Sequence, residues 1–431
     1  MTQTPIKIEG LNSNGTSNGA SNGASNDTSN GASNDTSNGT SNGTTYNVES
    51  AVLERYQAGA RQVEPSLCCP VEYDRKYLEI LPSEILQKDY GCGDPSRYVN
   101  AGDTVLDLGS GSGKICYILA QKVGAKGRVI GVDFNDEMLD LARKYKGEMA
   151  AKLGYDNVRF VKGKIQDLAL DLDRAQQWLR DRPVTSIEQF AGFEAECDRL
   201  RQEEPAIGDN SVDVVVSNCV LNLVRPQDKT ELFAEIYRVL KRGGRAVISD
   251  IVCDEDPTQA ILNDPELWSG CIAGAFREDM FLKMFEEAGF YGIEILSRES
   301  EPWQVIDGIE FRSVTLQAFK GKDGLCWERN QAVIYKGPWK KVLDDDGHAY
   351  ERGERIAVCE KTFNILTNPN GAYAGQFLPV EPYEEIPLEE AKPFDCSRTT
   401  LRHPKETKGL DYRVTVTNED SSCCSPDDSC C

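Results

Sequence analysis

The stretch TVLDLGSGSGKICYILAQKVG, residues 104–124, decides the fold. Its first five residues are an apolar run bounded by turn formers, the mark of a buried strand. Asp107 stands near the end of that run. Gly109, Gly111 and Gly113 follow in a turn whose backbone can approach a ligand closely. KICYILAQKVG then has helical spacing and stops at Gly124. Strand, glycine turn and helix together open a doubly wound α/β sheet.

Working outward, the same alternation continues. RVIGVDF (128–134) reads as a second strand, followed by a helix from Asp136 to about Gly154. NVRFVKGKI (157–165) and VDVVVSNCVLNLV (212–224) read as the third and fourth strands. The helix KTELFAEIYRVLKRGG (229–244) ends in glycines, and RAVISDI (245–251) is a fifth strand. Such alternation predicts an α/β, mostly parallel, Rossmann-like sheet. Residues 169–206 are charged and helical, and read as an insertion. From about 310 the texture changes: FRSVTLQAF, QAVIYKGPW, HAYERGERIAVCE and TFNIL read as strands of a smaller β-rich domain. The expected organisation is a low-complexity tail over 1–46, a main domain over 47–300, a β-rich domain over 301–390 and a flexible cysteine-rich tail over 391–431. The first tail repeats Ser-Asn-Gly and Ser-Asn-Asp and is too poor in apolar side chains to offset its chain entropy.

Seventy acidic against 48 basic residues give a net charge of −22. That charge repels phosphate backbones and anionic lipid, so neither nucleic acid nor a membrane is expected as a partner. No apolar run approaches the roughly 20 residues of a membrane span, and MTQTPIKIEG carries no apolar signal-peptide core. A cytoplasmic monomer is the expectation. Only two histidines, His348 and His403, accompany 15 cysteines. In a reducing compartment so many thiols point to metal, thiol or redox chemistry rather than to a disulfide framework.

The glycine turn alone fits many nucleotide-type cofactors. Asp107 before the first glycine and Asp133 at the end of the second strand narrow the choice. Asp133 is placed to accept both hydroxyls of a ribose. An acid above the turn suits a cationic ligand better than a pyrophosphate, and S-adenosylmethionine carries an ammonium and a sulfonium but no phosphate. The region resembles the class I S-adenosylmethionine-dependent methyltransferases. That resemblance implies that Asp107, Gly109, Ser110, Gly111 and Gly113 hold the methionine moiety and Asp133 the ribose. Phe134 would pack on the adenine, Ile165 and Gln166 would meet its edge, and Asn218 would lie near the sulfonium.

The motifs YGCG, LDLGSGSGK, SNCVLNLV, YRVLKRGG and LWSGCIAGAF, in this order over about residues 85–290, resemble the arsenite S-adenosylmethionine methyltransferases. The resemblance implies that Cys92, Cys219 and Cys271 bind trivalent arsenic as thiolates, with Cys68 or Cys69 assisting in disulfide exchange. It also implies arsenite or methylarsenite as substrate and a thiol reductant of the glutathione or thioredoxin type. The glycine amides beside Cys92 are expected to lower its pKa. This sequence departs from the family pattern at Gly270 and at Ile272-Ala273-Gly274, where many members carry Glu before the third cysteine and Gly-Gly after it. Its 169–206 insertion is long as well. Two other readings stay open: a methyltransferase for another thiophilic or small organic acceptor, and a non-catalytic thiol protein that sequesters soft metal ions. Cys116, Cys197, Cys253, Cys326, Cys359 and Cys396 read as small buried apolar residues. The vicinal pairs Cys68-Cys69, Cys423-Cys424 and Cys430-Cys431 could capture a soft ion. A closed zinc site is not expected, since no CxxC pair occurs.

Overall fold

The computed structural model describes residues 48–61, 71, 73–88, 90–397 and 399–408. The low-complexity tail, Cys68, Cys69 and the four cysteines of the C-terminal pairs lie outside the described residues.

The strand expected at the start of the opening stretch is β1, Thr104–Leu108. The helix after the glycines is α2, Lys114–Val123, and it stops at Gly124; α1 is the preceding helix Val48–Arg61. Strands β2 (Arg128–Asp133), β3 (Val158–Lys162), β4 (Val212–Asn218) and β5 (Leu240–Cys253) follow. All pair in parallel, in the order β3-β2-β1-β4-β5. The order reverses between β1 and β4, so the crevice at their C-terminal ends is where an open α/β sheet binds ligands. The central strands are buried on both faces, as Val105, Leu106 and Val214–Val216 show. One face packs on Phe233, Phe281 and Phe285, the other on Ile118, Leu119 and Tyr117. Each such side chain contributes about 1.5–3 kcal/mol by leaving water. The phenol of Tyr117 escapes the burial cost by donating to the Ala142 carbonyl at 2.6 Å.

Four sequence readings shift. The helix after β4 ends at Val239, and Leu240–Gly244 already runs as strand; the glycines lie beyond the helix rather than at its cap. FRSVTLQAF belongs to the main sheet. Its strand β7 (Ile309–Phe319) pairs antiparallel with β5, and β6 (Tyr291–Arg298) pairs antiparallel with β7. The main sheet therefore extends past residue 300. TFNIL is helical: Glu360–Thr367 forms a helix capped by Cys359, whose sulfur accepts the Thr362 amide, and Phe363 and Leu366 are buried three apart on one side. Finally, residues 391–397 and 399–408 are built onto the β-rich domain. Lys392–Pro393 pairs with Trp327–Glu328, and the Arg402 guanidinium is held by Glu328 and Glu406. The insertion is two helices, Leu172–Asp181 and Ile187–Glu203. No described helix is long and apolar enough to cross a membrane.

Candidate active site

Cys92 stands between two glycines because nothing larger fits there. A Cβ on Gly91 would lie 2.3 Å from Asn218 Nδ2, and one on Gly93 would lie 2.6 Å from the Ser249 side chain. The loop is thus pressed onto the tip of β4 and onto Ser249 beside it in β5. Asn218 fastens it. Its Oδ1 accepts the amides of Cys92 and Gly93 at 2.9 and 3.0 Å, and its Nδ2 donates to the Gly93 carbonyl at 2.8 Å and to Tyr73 Oη at 3.2 Å. Ser313 on β7 donates to the Cys92 carbonyl. Asn218 lines the cofactor cleft, but its side chain is committed to holding Cys92.

Cys219 follows β4 directly, with its amide on the Ser249 carbonyl at 2.8 Å. Its sulfur, that of Cys92 and a carboxylate oxygen of Asp250 lie within 4.8 Å of one another. Cys271 also reaches Cys219, its thiol donating to the Cys219 carbonyl at 3.1 Å. Cys219 and Cys271 both have left-handed backbone, φ +62° and +64°. That conformation costs a residue with a side chain about 1–3 kcal/mol and collects at functional sites. The Cys271 turn ends a short helix, Pro265–Ser269. Asn222 Nδ2 donates to the carbonyls of Cys271 and Ile251, and Lys229 Nζ donates to Gly274 O at 2.6 Å. A Cβ on Gly274 would meet the Asn222 carbonyl oxygen at 1.9 Å, so this glycine lets the turn close.

Helix α1 roofs the thiols. Arg55 donates to Glu266 O and Ser269 Oγ at 2.7 and 2.8 Å, and the Tyr56 hydroxyl lies 3.9 Å from Cys271 Sγ. Burial, then the two nearby sulfurs, hold the Tyr56 phenol protonated far above its usual range.

Cys219 and Cys271 do not sit in a field that favours thiolates. A hydrogen bond from Cys271 lowers the Cys219 pKa, but the Cys92 contact, burial and the Asp250 charge outweigh it and carry it well above the ordinary value. Cys271 is pushed up by its bond to Cys219, by burial and by Asp250. Cys219 and Cys271 therefore stay protonated, because the charge nearest these two sulfurs is negative. Asp250 is fully buried, accepts the Leu221 and Ile251 amides at 2.8 Å, and is itself raised by burial to about 6.

Cys219 opens into a cleft lined by Asp107, Gly109, Ser110, Gly111, Asp133, Phe134, Ile165, Gln166 and Asn218. Gly113 does not line it. A Cβ there would strike the Phe160 ring at 2.9 Å, so this glycine serves helix–strand packing instead. Asp133 is set by two amides, Gly111 N–H at 2.9 Å and Asn135 N–H at 2.9 Å. Asp107 accepts the Cys116 thiol at 3.2 Å, which makes Cys116 a buried positioning group. Two buried polar atoms among the lining residues, Ser110 Oγ and Asn135 Nδ2, have no partner among the described residues. Two acids, an aromatic face and these orphaned atoms fit a ligand with an ammonium, a ribose and an adenine, as S-adenosylmethionine has.

Sequence reasoning missed Asp250, Asn135, Tyr56 and the roof formed by α1. Asp250 ends the motif VISD much as Asp107 ends VLD, a signal that could have found it; nothing in α1 marks it as a roof.

A doubly wound sheet with an acid-flanked glycine turn at its switch point defines a class I methyltransferase domain, and a methyltransferase-domain model matches residues 99–289. A model for a domain of unknown function matches residues 322–412. The arsenite methyltransferase of Aquipseudomonas alcaligenes is 32% identical over 334 residues, covering 73% of this chain and 86% of that protein. The Homo sapiens arsenite methyltransferase is 31% identical over 344 residues, covering 76% and 79%. A crystal structure of an arsenic (III) S-adenosylmethionine methyltransferase from Chlamydomonas reinhardtii is 27% identical, with 78% of this chain and 100% of that chain covered, at a TM-score of 0.49. The chain belongs to the arsenite methyltransferase family.

Proposed function

We propose that this chain methylates trivalent arsenic held by Cys92, Cys219 and Cys271, using S-adenosylmethionine as donor. What supports the reading most is that Cys219, flanked by the other two thiols, opens into the same cleft as Asp107 and Asp133.

Soft trivalent arsenic prefers sulfur ligands. Arsenous acid is neutral, and so are the raised thiols of Cys219 and Cys271. Each exchange forms an As–S bond, breaks an As–O bond and sends the thiol proton out with the hydroxide as water. Three exchanges release three waters, and no net charge enters the pocket. Cys219 and Cys271, held protonated by the neighbouring thiol, burial and Asp250, are thus suited to an uncharged substrate. When bound, S-adenosylmethionine supplies a methyl group on a sulfonium sulfur, the electrophile for the lone pair that three thiolates leave on arsenic. Asp107 neutralises a ligand ammonium, and Asp133 orients a ribose. Asn218 and the two left-handed turns fix the thiols, so most of the acceleration comes from positioning. No general base acts on arsenic, because arsenic loses no proton. Methyl transfer releases S-adenosylhomocysteine and leaves methylated arsenic formally pentavalent. Two thiols oxidised to one disulfide return the two electrons that restore the trivalent state, and a cellular thiol of the glutathione or thioredoxin type, with Cys68 or Cys69 as relay, reduces that disulfide. Methyl transfer from labelled donor to arsenite, run beside antimonite, selenite and small thiols, tests the acceptor. Transfer to a small thiol but not to arsenite would sink the proposal.

A further inference from the structure

Cys326, Cys359 and Cys396, read from the sequence as unrelated buried residues, come together in the β-rich domain. Their three sulfurs lie within 4.8 Å of one another. Spacings of 33 and 37 residues hide the cluster from any motif. The fold assembles it from three segments. Cys326 precedes Trp327–Glu328, and its carbonyl accepts the Phe394 amide at 2.8 Å, which brings in the strand that leads to Cys396. Cys359 caps the helix Glu360–Thr367, with Thr362 N–H and Oγ1 at 3.4 and 3.2 Å from its sulfur. Cys396 is fixed through its carbonyl, which accepts His348 Nε2 at 3.0 Å. A small pocket beside the sulfurs is lined by Ile356, Val358 and Phe394 among others.

We infer that Cys326, Cys359 and Cys396 form a second soft-ion site, built for a trivalent thiophilic metalloid such as arsenic(III) and separate from the methyl-transfer cleft. Three features select this ligand. First, soft sulfur donors exclude the hard cations. Second, the donor set stops at three. His348 faces Asp344 with Nδ1 and Cys396 O with Nε2, so neither nitrogen turns to the sulfurs, and no further His, Cys, Asp or Glu joins them among the described residues. Structural zinc takes four ligands, whereas trivalent arsenic is complete with three and a lone pair. Third, charge decides between them. Three thiolates on a trivalent centre make a neutral complex, but on a divalent metal they leave one negative charge, costly beside an apolar lining. Two bonds of about 2.3 Å, the length of a metal–thiolate bond, span at most ~4.6 Å and less at a pyramidal centre, so the three sulfurs draw together as the site loads. Loading forms three As–S bonds from arsenous acid and three thiols and releases three waters, with no redox step. The sulfurs and the donor count stand independently of the methyl-transfer proposal.

The test uses the reduced full-length chain titrated with arsenite, alkylated with iodoacetamide and read cysteine by cysteine by mass spectrometry. Cys359 is buried, so the readout lies at the partly exposed Cys326 and Cys396. Arsenite should slow alkylation of both together, at least tenfold. In Cys359→Ser that protection should vanish, while arsenite still protects Cys92 and the chain still methylates. X-ray absorption on the full-length Cys92→Ser/Cys219→Ser/Cys271→Ser chain with one equivalent of arsenite should give three As–S neighbours, falling to two when Cys359→Ser is added. Equal alkylation of Cys326 and Cys396 with and without arsenite overturns the inference. So does one zinc per purified chain that is lost in Cys359→Ser and is not displaced by arsenite. Protection at Cys326 and Cys396 without protection at Cys92 would refute the methyl-transfer proposal and leave this site standing.

Discussion

Replacing Asn218 by Ala tests how the first thiol is held. The side chain makes four hydrogen bonds, three of them to the Cys92–Gly93 backbone. Its loss strands the Cys92 and Gly93 amides beneath the loop, and each orphaned buried donor costs about 1–3 kcal/mol. Together they cost about 2–6 kcal/mol, a strain the loop relieves by lifting from the tip of β4 into water. At 1.4 kcal/mol per decade, even the lower bound weakens a site that needs Cys92 in place by about 30-fold. Two measurements follow. Alkylation of Cys92, 5% exposed in the native fold, should accelerate, and arsenite should protect it far less. Calorimetry with S-adenosylhomocysteine should find cofactor affinity within a few fold of the parent, since Asp107 and Asp133 are untouched. If Asn218→Ala alkylates at Cys92 as slowly as the parent and methylates arsenite at the parent rate, Asn218 does not anchor the thiol. If it loses cofactor affinity instead, its main contact is with the cofactor.

Three other outcomes are expected. Asp133→Ala should weaken S-adenosylhomocysteine by about 10- to 100-fold, the loss of a charged hydrogen-bond partner at about 1.5–3 kcal/mol, while arsenite protection of Cys92 stays; unchanged affinity in calorimetry contradicts the ribose placement. Gly274→Ala puts a Cβ 1.9 Å from the Asn222 carbonyl oxygen, so the Cys271 turn must open; methyl transfer should fall by more than tenfold, and a parent-like rate would show that the turn geometry is dispensable. Asp250 has a folded pKa raised from 3.8 to about 6, so its protonated form stabilises the fold below about pH 4 and that stabilisation is lost as pH rises through 6. At 1.36 kcal/mol per unit the cost reaches roughly 3 kcal/mol. The stability of Asp250→Asn relative to the parent should therefore rise from pH 4 to 6 and level off above, and a pH-independent difference in chemical denaturation would show that Asp250 carries no such penalty.

The sheet was legible because its signals are local. Five apolar runs, each followed by a glycine turn or a helix, mark five parallel strands within a residue or two at the glycine turn. What went astray depends on pairing across distance. Nothing in FRSVTLQAF says that its partner is β5 rather than a strand of its own domain. TFNIL has the β-branched and aromatic look of a strand, yet Cys359 caps it as a helix, and a sulfur cap is not a usual start signal. At the site, the residue types around Asp107 and Asp133 could be placed from their strand ends. The convergence of Cys92 and Cys271 on Cys219 came from family resemblance alone, since the contacts span 127 and 52 positions in the chain. Asp250, which helps raise the Cys219 and Cys271 thiols, was hidden for the same reason: it is 31 residues from Cys219 in sequence and beside it in space.

Single-turnover methyl transfer tests the central claim most directly. Reduced full-length chain is mixed with one equivalent of arsenite and labelled S-adenosylmethionine, quenched, and assayed for methylated arsenic. The account predicts transfer of one methyl group to arsenic per chain in the parent. Cys92→Ser, Cys219→Ser and Cys271→Ser should each lose it by orders of magnitude, with strongly non-additive losses in combination, while Cys326→Ser retains it. Methylation that survives in any of the three site variants at the parent rate, or a parent that leaves arsenite unmethylated while binding the cofactor, would contradict it.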